Sequence, residues 1–351
     1  MAYTEVLLPR WPTVDYITSY TIFRGLIQRP LKISFMNKYE WATDAAFMSL
    51  DLRRVLPIGF RKQDEADEKI LSETAMIVSE LREFGALPDE DALDNLAKML
   101  TRDNKDGYLS KSQLYATPWI SRQAYRFGFD PAEVVCRMAD VIDVYLEATR
   151  QKAEQGGKMS LNVRERAARS KAMALLPEGP ARTHCGPLTV SRLIRDMHFL
   201  GYSDESEMCE HVRWFVEIHD RAKERQLAAD EQARTGSFEK FRLSGQTKVG
   251  VWVDSDDPYL MSSLAAMHDL VAMRSSRGNV IVMSKSFDLS GVARELIQRE
   301  PKRWHYTGGL RNILSNGTES VEVPPTNLSR MAIEACIALC IIELTEALAR
   351  R

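Results

Sequence analysis

Between Lys248 and Val323, strand, helix, glycine and Asn-Gly signals follow one another so closely that a small α/β layer is the fold they specify. Val249-Gly-Val-Trp-Val253 is a β-rich run, and it ends in Asp254-Ser-Asp-Asp-Pro258, acids set just before a proline that can open a helix. Leu260, Met261, Leu264, Met267 and Val271 then recur at helical spacing until Arg277-Gly-Asn279 breaks the pattern. Val280-Ile-Val-Met283 predicts the next strand, and Leu289, Val292, Leu296 and Ile297 predict a second helix stopped by Pro301. Ile313-Leu-Ser-Asn-Gly-Thr318 places an Asn-Gly pair between apolar-rich runs, which predicts a hairpin. Beyond Pro324-Pro325 a closing helix is expected over Ser329 to Ala349. These signals define a C-terminal α/β domain over residues 236–351.

The N-terminal stretch, 1–107, also alternates strand and helix signals. Glu5-Val-Leu-Leu8 reads as a strand, Pro9-Arg-Trp-Pro-Thr-Val-Asp15 as a loop carrying an acid, and Ile17, Tyr20, Thr21 and Leu26 as a helix. Leu31-Lys-Ile-Ser-Phe35 and Phe47-Met-Ser-Leu-Asp51 are further strand candidates, and strands alternating with helices argue for a parallel sheet. From Arg61 to Asp106 there are thirteen acids against seven bases, over two helical patterns, the second ending at Thr101-Arg-Asp103-Asn-Lys-Asp-Gly107. Such a run is either a solvated helix face or a carboxylate-rich metal site.

Over 108–235 the strand signal disappears. Phe127-Gly128-Phe129-Asp130 leads into a helix with Cys136 eight residues after the glycine, and Leu200-Gly201-Tyr202-Ser203 leads into one with Cys209 at the same offset. Val135 matches Met208, Ile142 matches Phe215 and Tyr145 matches Ile218, so two similar helical hairpins form the connector. Between them, Arg150 to Ala172 holds seven bases against two acids around Gly156-Gly157, which reads as an exposed linker or as a phosphate contact.

Composition narrows the function classes. A net charge of −2 gives no overall pull toward nucleic acid or an anionic membrane, so such binding needs local patches. The apolar run within Ala335 to Leu344 is cut by Glu343 and is far shorter than the ~20 residues of a membrane span. No secretory signal is read at the start, and five scattered cysteines form no disulfide framework, so a cytoplasmic protein with no membrane partner is expected. Cys336 and Cys340 share a helix face among Ile333, Ile337 and Ile341 and are expected in the core. No P-loop, dinucleotide fingerprint, Gly-x-Ser-x-Gly elbow or EF-hand occurs.

The order of these features resembles the Asp-His-His (DHH) phosphoesterase superfamily, in its Myg-like or uncharacterised branches. Val249-Gly-Val-Trp-Val-Asp-Ser-Asp256, Arg277-Gly-Asn-Val280, Asp288-Leu-Ser-Gly-Val-Ala293, Trp304-His-Tyr-Thr-Gly-Gly309 and Ser315-Asn-Gly317 carry the resemblance. It implies an α/β fold with a parallel-sheet N-terminal domain, a helical connector and a smaller DHH-associated α/β domain. It places metal-binding acids at Asp15, Asp51, Asp64, Asp67 and Asp103. The departure is that no histidine precedes His184, so the family's imidazole ligands are missing from this half. In the C-terminal domain the resemblance implies a phosphate-holding loop, for which Gly308 and Gly309 with His305 and Arg311 are the candidates, against a plain turn; seven bases against three acids from Val271 to Arg303 make Arg274, Arg277, Lys285, Arg294 and Arg303 either the lining of an anionic groove or a solvated set.

With the metal motifs degenerate, no catalytic residue is assigned and no cofactor is expected. The leading expectation is a nucleic-acid, nucleotide or protein binding module within a larger assembly. The alternatives are a metal-dependent phosphoesterase or exonuclease that holds Mg²⁺ or Mn²⁺ with carboxylates alone, and a helical protein-interaction subunit.

Overall fold

The computed structural model describes residues 3–27, 30–36, 55–58, 72–87, 90–106, 115–155, 163–183, 186–243, 249–307, 312–317 and 323–343. Val6, Leu7 and Leu8 are all buried, as befits the middle strand of a parallel sheet. That strand is β1 (Glu5–Pro9), and it leads into α1 (Val14–Ile27). β2 (Lys32–Met36) and β3 (Val55–Pro57) pair with β1 in parallel from opposite sides, giving the order β2-β1-β3. Asp15, expected in the loop, lies in the first turn of α1, because the helix begins at Val14. The strand expected at Phe47–Asp51 falls outside the described residues.

Two helices, α2 (Glu73–Glu83) and α3 (Asp91–Asp106), follow, and then the connector: α4 (Thr117–Arg126), α5 (Pro131–Gln155), α6 (Val163–Ala174), α7 (Pro180–Thr183), α8 (Val190–Phe199) and α9 (Glu205–Thr235). The basic stretch 150–172 is therefore helical wherever it is described. Arg150–Gln155 ends α5 and Val163–Ala172 belongs to α6, because Ala148, Ala168 and Ala172 give both helices a buried side. No described helix is long and apolar enough to cross a membrane.

The helix pairs α4–α5 and α8–α9 are built alike. Gly128 and Gly201 stand at φ +79° and +83°, a conformation that glycine adopts without a Cβ penalty. Phe129 N–H donates to Ala124 O and Tyr202 N–H to Met197 O, both at 3.1 Å, so each helix closes with the same capping bond. Each pair also starts alike, after a non-glycine residue at positive φ: Tyr115 (+52°) and Leu188 (+55°). Across a short antiparallel bridge between Ala116 and Thr189, Thr117 N–H donates to Leu188 O (2.9 Å) and Val190 N–H donates to Tyr115 O (3.0 Å). Such left-handed residues cost on the order of 1–3 kcal/mol each, and the reciprocal bonds hold them in place. Val135, Met208, Ile142, Phe215, Tyr145 and Ile218 share one core with β1, α1 and α3.

By contact density the chain divides into two units, Met1–Arg221 and Ala222–Arg351, with the boundary inside α9. In the second unit the strands are β4 (Glu239–Arg242), β5 (Val249–Asp254), β6 (Leu270–Arg274), β7 (Val280–Ser284), β8 (Phe287–Asp288), β9 (His305–Thr307), β10 (Ile313–Ser315) and β11 (Ile342–Glu343). The helices are α10 (Pro258–Met267), α11 (Ser290–Arg299) and α12 (Arg330–Cys340). A six-stranded sheet runs β4-β5-β6-β7-β10-β9, in which β5 and β6 are parallel and the other neighbours antiparallel. Trp252, Leu270, Val282, Leu296, Trp304, Leu314 and Ile333 make its core.

Three expectations change here. Val271 belongs to β6 and not to the helix before it: the chain turns extended at His268, and Leu270 to Met273 is buried throughout, an apolar run whose period cannot separate strand from helix. The closing helix ends at Cys340, because Ile341 is extended and Ile342–Glu343 pairs with β8. Asn316-Gly317 follows β10, and the stretch into which its hairpin would run lies outside the described residues; β10 pairs instead with β7 and β9.

Candidate functional site

Of the N-terminal acids, Asp15 is committed to holding a helix. Asp15 is 2% exposed, and its two carboxylate oxygens accept main-chain N–H groups from Glu73 (2.8 Å) and Thr74 (2.9 Å), the first residues of α2. Thr74 Oγ1 donates back to Asp15 O at 2.9 Å. Ser72 Oγ accepts from Ala75 N–H at 3.0 Å, so α2 is capped both by its own N-cap and by an acid from α1. Thr101 Oγ1 donates to Ser72 Oγ at 3.2 Å, which ties α3 to the same junction. Asp103, 3% exposed on α3, faces the Arg122 guanidinium of α4 at 3.5 Å. Asp51, Asp64 and Asp67 lie outside the described residues. Among the described residues no three His, Cys, Asp or Glu side chains gather closely enough to hold a metal ion, so Asp15 and Asp103 do not form the centre that the family resemblance implies.

The C-terminal sheet offers a cleft. β5 and β6 end side by side, and in open α/β layers ligands bind beyond the carboxyl ends of parallel strands. Asp254, Ser255 and Asp256 from the end of β5 face Arg274, Ser275 and Ser276 from the end of β6 across a cavity of about 390 Å³. Ser255 N–H donates to Arg274 O at 2.9 Å, and Ser276 N–H donates to Asp256 Oδ1 at 2.8 Å. The Ser276 hydroxyl and N–H, with the Arg277 charge adding, hold the Asp256 carboxyl below its usual range. Asp254 accepts from Trp252 Nε1 at 3.2 Å, and Arg277 is exposed with no ion pair or hydrogen bond among the described residues. Gly278 closes the turn at φ +85°, where an added Cβ would also meet Pro325 at 3.2 Å.

Only part of the expected basic rim meets here. Arg274 lines the cavity, Arg277 follows Ser276 in the turn beside it, and His305, with Arg303 two residues before it, starts β9 on the same edge of the sheet, by the register of β9, β10 and β7. Lys285 follows β7 on the opposite edge and donates to Ala266 O at 2.9 Å, and Arg294 is exposed on α11. Gly308, Gly309 and Arg311 lie outside the described residues. Two of the arginines are already engaged with the strap Val323–Leu328: Arg303 donates to Pro325 O (2.6 Å) and Arg274 to Leu328 O (3.4 Å). Glu300, 8% exposed, anchors the same strap through Asn327 N–H (2.8 Å) and the Thr326 hydroxyl (2.5 Å), and also accepts from Trp304 Nε1. Burial works against its charge, yet these donors hold its carboxyl below the usual range.

Sequence reasoning missed the cavity's serines, Ser255, Ser275 and Ser276, and with them the role of Asp254 and Asp256. The signal was present in two matching strand ends. Assigning Val271 to a helix removed the second of them.

No family model matches the chain, and no curated protein does. Among solved structures, the chain is similar to RecJ from Thermus thermophilus in complex with Mg²⁺ (11% identity, 95% of this chain and 49% of that chain, TM-score 0.40). The same protein in complex with Mn²⁺ matches at 11% identity over 96% of this chain and 52% of that chain, with a TM-score of 0.44. An uncharacterized protein from Helicobacter pylori matches at 11% identity over 96% of this chain and 99% of that chain, with a TM-score of 0.17. The chain spans about half the length of the RecJ chains it matches. At these TM-scores the likeness carries no argument about activity.

Proposed function

We propose that this chain is a nucleotide- or nucleic-acid-binding protein on a DHH-phosphoesterase-like scaffold, and that it holds a nucleotide unit at the joined ends of β5 and β6 without cutting it. The observation that carries the reading is the pairing at that edge of cationic and hydroxyl groups with carboxylates. Arg277, with the Ser255 and Ser275 hydroxyls, suits a phosphate, for which guanidinium and hydroxyl donors are the ordinary partners. Asp254 suits the hydroxyls of a ribose, which carboxylates accept at strand ends. The absence of cleavage is supported by Asp15, whose carboxylate caps α2, and by Asp103, which faces Arg122.

Fluorescence anisotropy with labelled di- and trinucleotides tests this directly. Binding is expected to weaken with rising salt and to fall about tenfold in Arg277→Ala. Product formation with Mn²⁺ or Mg²⁺ that is lost in Asp15→Asn would overturn the non-catalytic reading, and equal affinity of the wild type and Arg277→Ala would remove the site from the β5–β6 edge.

A further inference from the structure

The junction of the two helical hairpins contains a second cavity, remote in sequence from the one between β5 and β6. It measures about 220 Å³ and is bounded by α5, α8, α9 and the turn that carries Tyr202. Its floor is apolar: Val141 (3% exposed), Leu193 (5%) and Met197 (1%) all line it. Its rim is polar, with Asp140 and Asp143 one turn apart on α5 and Tyr202 and His211 opposite them.

The charges on that rim do not balance. Arg24 of α1 reaches both carboxylates, at 3.6 Å from Asp140 and in closer contact with Asp143, so one guanidinium answers two acids. The consequence registers on the neighbours. Half of the Asp143 side chain is open to solvent, yet its carboxyl is raised, first by the surrounding protein and then by Asp140, with Arg24 opposing. Burial raises the Tyr202 phenol, and Glu207, Asp140 and Asp143 raise it further, so it remains a protonated donor. Neither the Tyr202 hydroxyl nor the His211 ring makes a hydrogen bond among the described residues. Two polar groups without partners thus face a cavity with a net negative rim and an apolar floor.

We propose that this cavity binds a primary ammonium group carried on a short aliphatic chain. The cation would sit beside Asp140, which Arg24 reaches only at 3.6 Å, and would supply there the positive charge that Arg24 alone does not. The His211 ring would accept one of its N–H donors, and the methylenes would cover Val141, Leu193 and Met197 in place of water. The volume equals that of about seven liquid waters, enough for a chain of about five carbons but small for a drug-sized ligand. Pockets between helices of a bundle are common ligand sites, and this one lies where the two similar hairpins meet.

Two sources share this chemistry, a free alkylamine and the lysine side chain of a partner peptide, and isothermal titration calorimetry separates them. The probes are pentylammonium, its neutral counterpart pentanol, and the tripeptide Gly-Lys-Gly with blocked ends, titrated into the full chain. Pentylammonium is expected to bind at least about tenfold more tightly than pentanol, as a charged donor in a partly desolvated site should. Asp140→Asn and His211→Ala are each expected to weaken it about fivefold, while thermal unfolding confirms that both variants are folded. Tighter binding of the tripeptide assigns the site to a lysine and upholds the proposal. Equal binding of pentanol and pentylammonium, no heat from either amine at millimolar concentration, or an affinity unchanged in both folded variants would overturn it.

Discussion

Each unit places an acid beyond the end of a buried strand, and the two acids have opposite fates. Asp15 follows β1 and is buried, with both oxygens accepting the N–H groups that open α2. Asp256 follows β5 and is exposed, bonded to one neighbouring N–H and facing a cavity. The difference lies in what stands opposite. A helix start supplies orphan N–H groups that draw a carboxylate inward, whereas a second parallel strand end leaves a gap that a ligand can enter. A strand-end acid is therefore no indicator of metal chemistry until the element facing it is known.

The largest expected effect tests the buried side of that contrast. Asp15→Ala removes two charge-assisted bonds and leaves two buried N–H groups without acceptors, which should cost about 3 kcal/mol in urea unfolding. A loss below about 0.5 kcal/mol would show that the cap is incidental. Next comes the turn behind the cavity. Gly278→Ala forces a Cβ onto φ +85° against Pro325 and should cost about 1–2 kcal/mol, with nucleotide affinity falling alongside.

His198 extends the comparison to a buried group that no described residue answers. It is 2% exposed and both ring nitrogens lack hydrogen-bond partners among the described residues; burial lowers its pKa, Arg169 lowers it further and Glu165 opposes. Because the folded value lies below the unfolded value of about 6.5, its contribution is intact above that pH and lost as pH falls through the folded value. Wild type should therefore lose stability between about pH 8 and about pH 5.5 that His198→Leu does not lose. Equal slopes in pH-dependent melts would assign the acid sensitivity elsewhere. The smallest effect belongs to the exposed side: Arg277→Ala should leave stability within about 0.5 kcal/mol while weakening nucleotide binding.

Much of the fold was readable in the chain because its signals are local. Gly128 and Gly201 mark the approach to two similar helices, Pro258 announces the start of α10, and the Val6-Leu-Leu8 run announces a strand. What escaped depends on contacts distant in sequence. Nothing near Asp15 says that its acceptors will be filled from Glu73 and Thr74, nearly sixty residues away. Arg274 and Arg303 read as free cations, and only the folded chain brings the carbonyls of Pro325 and Leu328 to them. Val271 was misplaced because four buried apolar residues carry no period of their own.

The reciprocal bonds between Thr117 and Leu188 and between Val190 and Tyr115 make the two hairpins partners across a local two-fold. A self-complementary joint of this kind does not distinguish its own chain from another. During refolding at high concentration, the first hairpin of one molecule can close on the second hairpin of its neighbour, making the same bonds without strain that the native pairing lacks. The exchanged dimer is the characteristic misassembly this architecture invites, and size-exclusion chromatography after rapid dilution from urea would reveal it as a species whose yield rises with protein concentration.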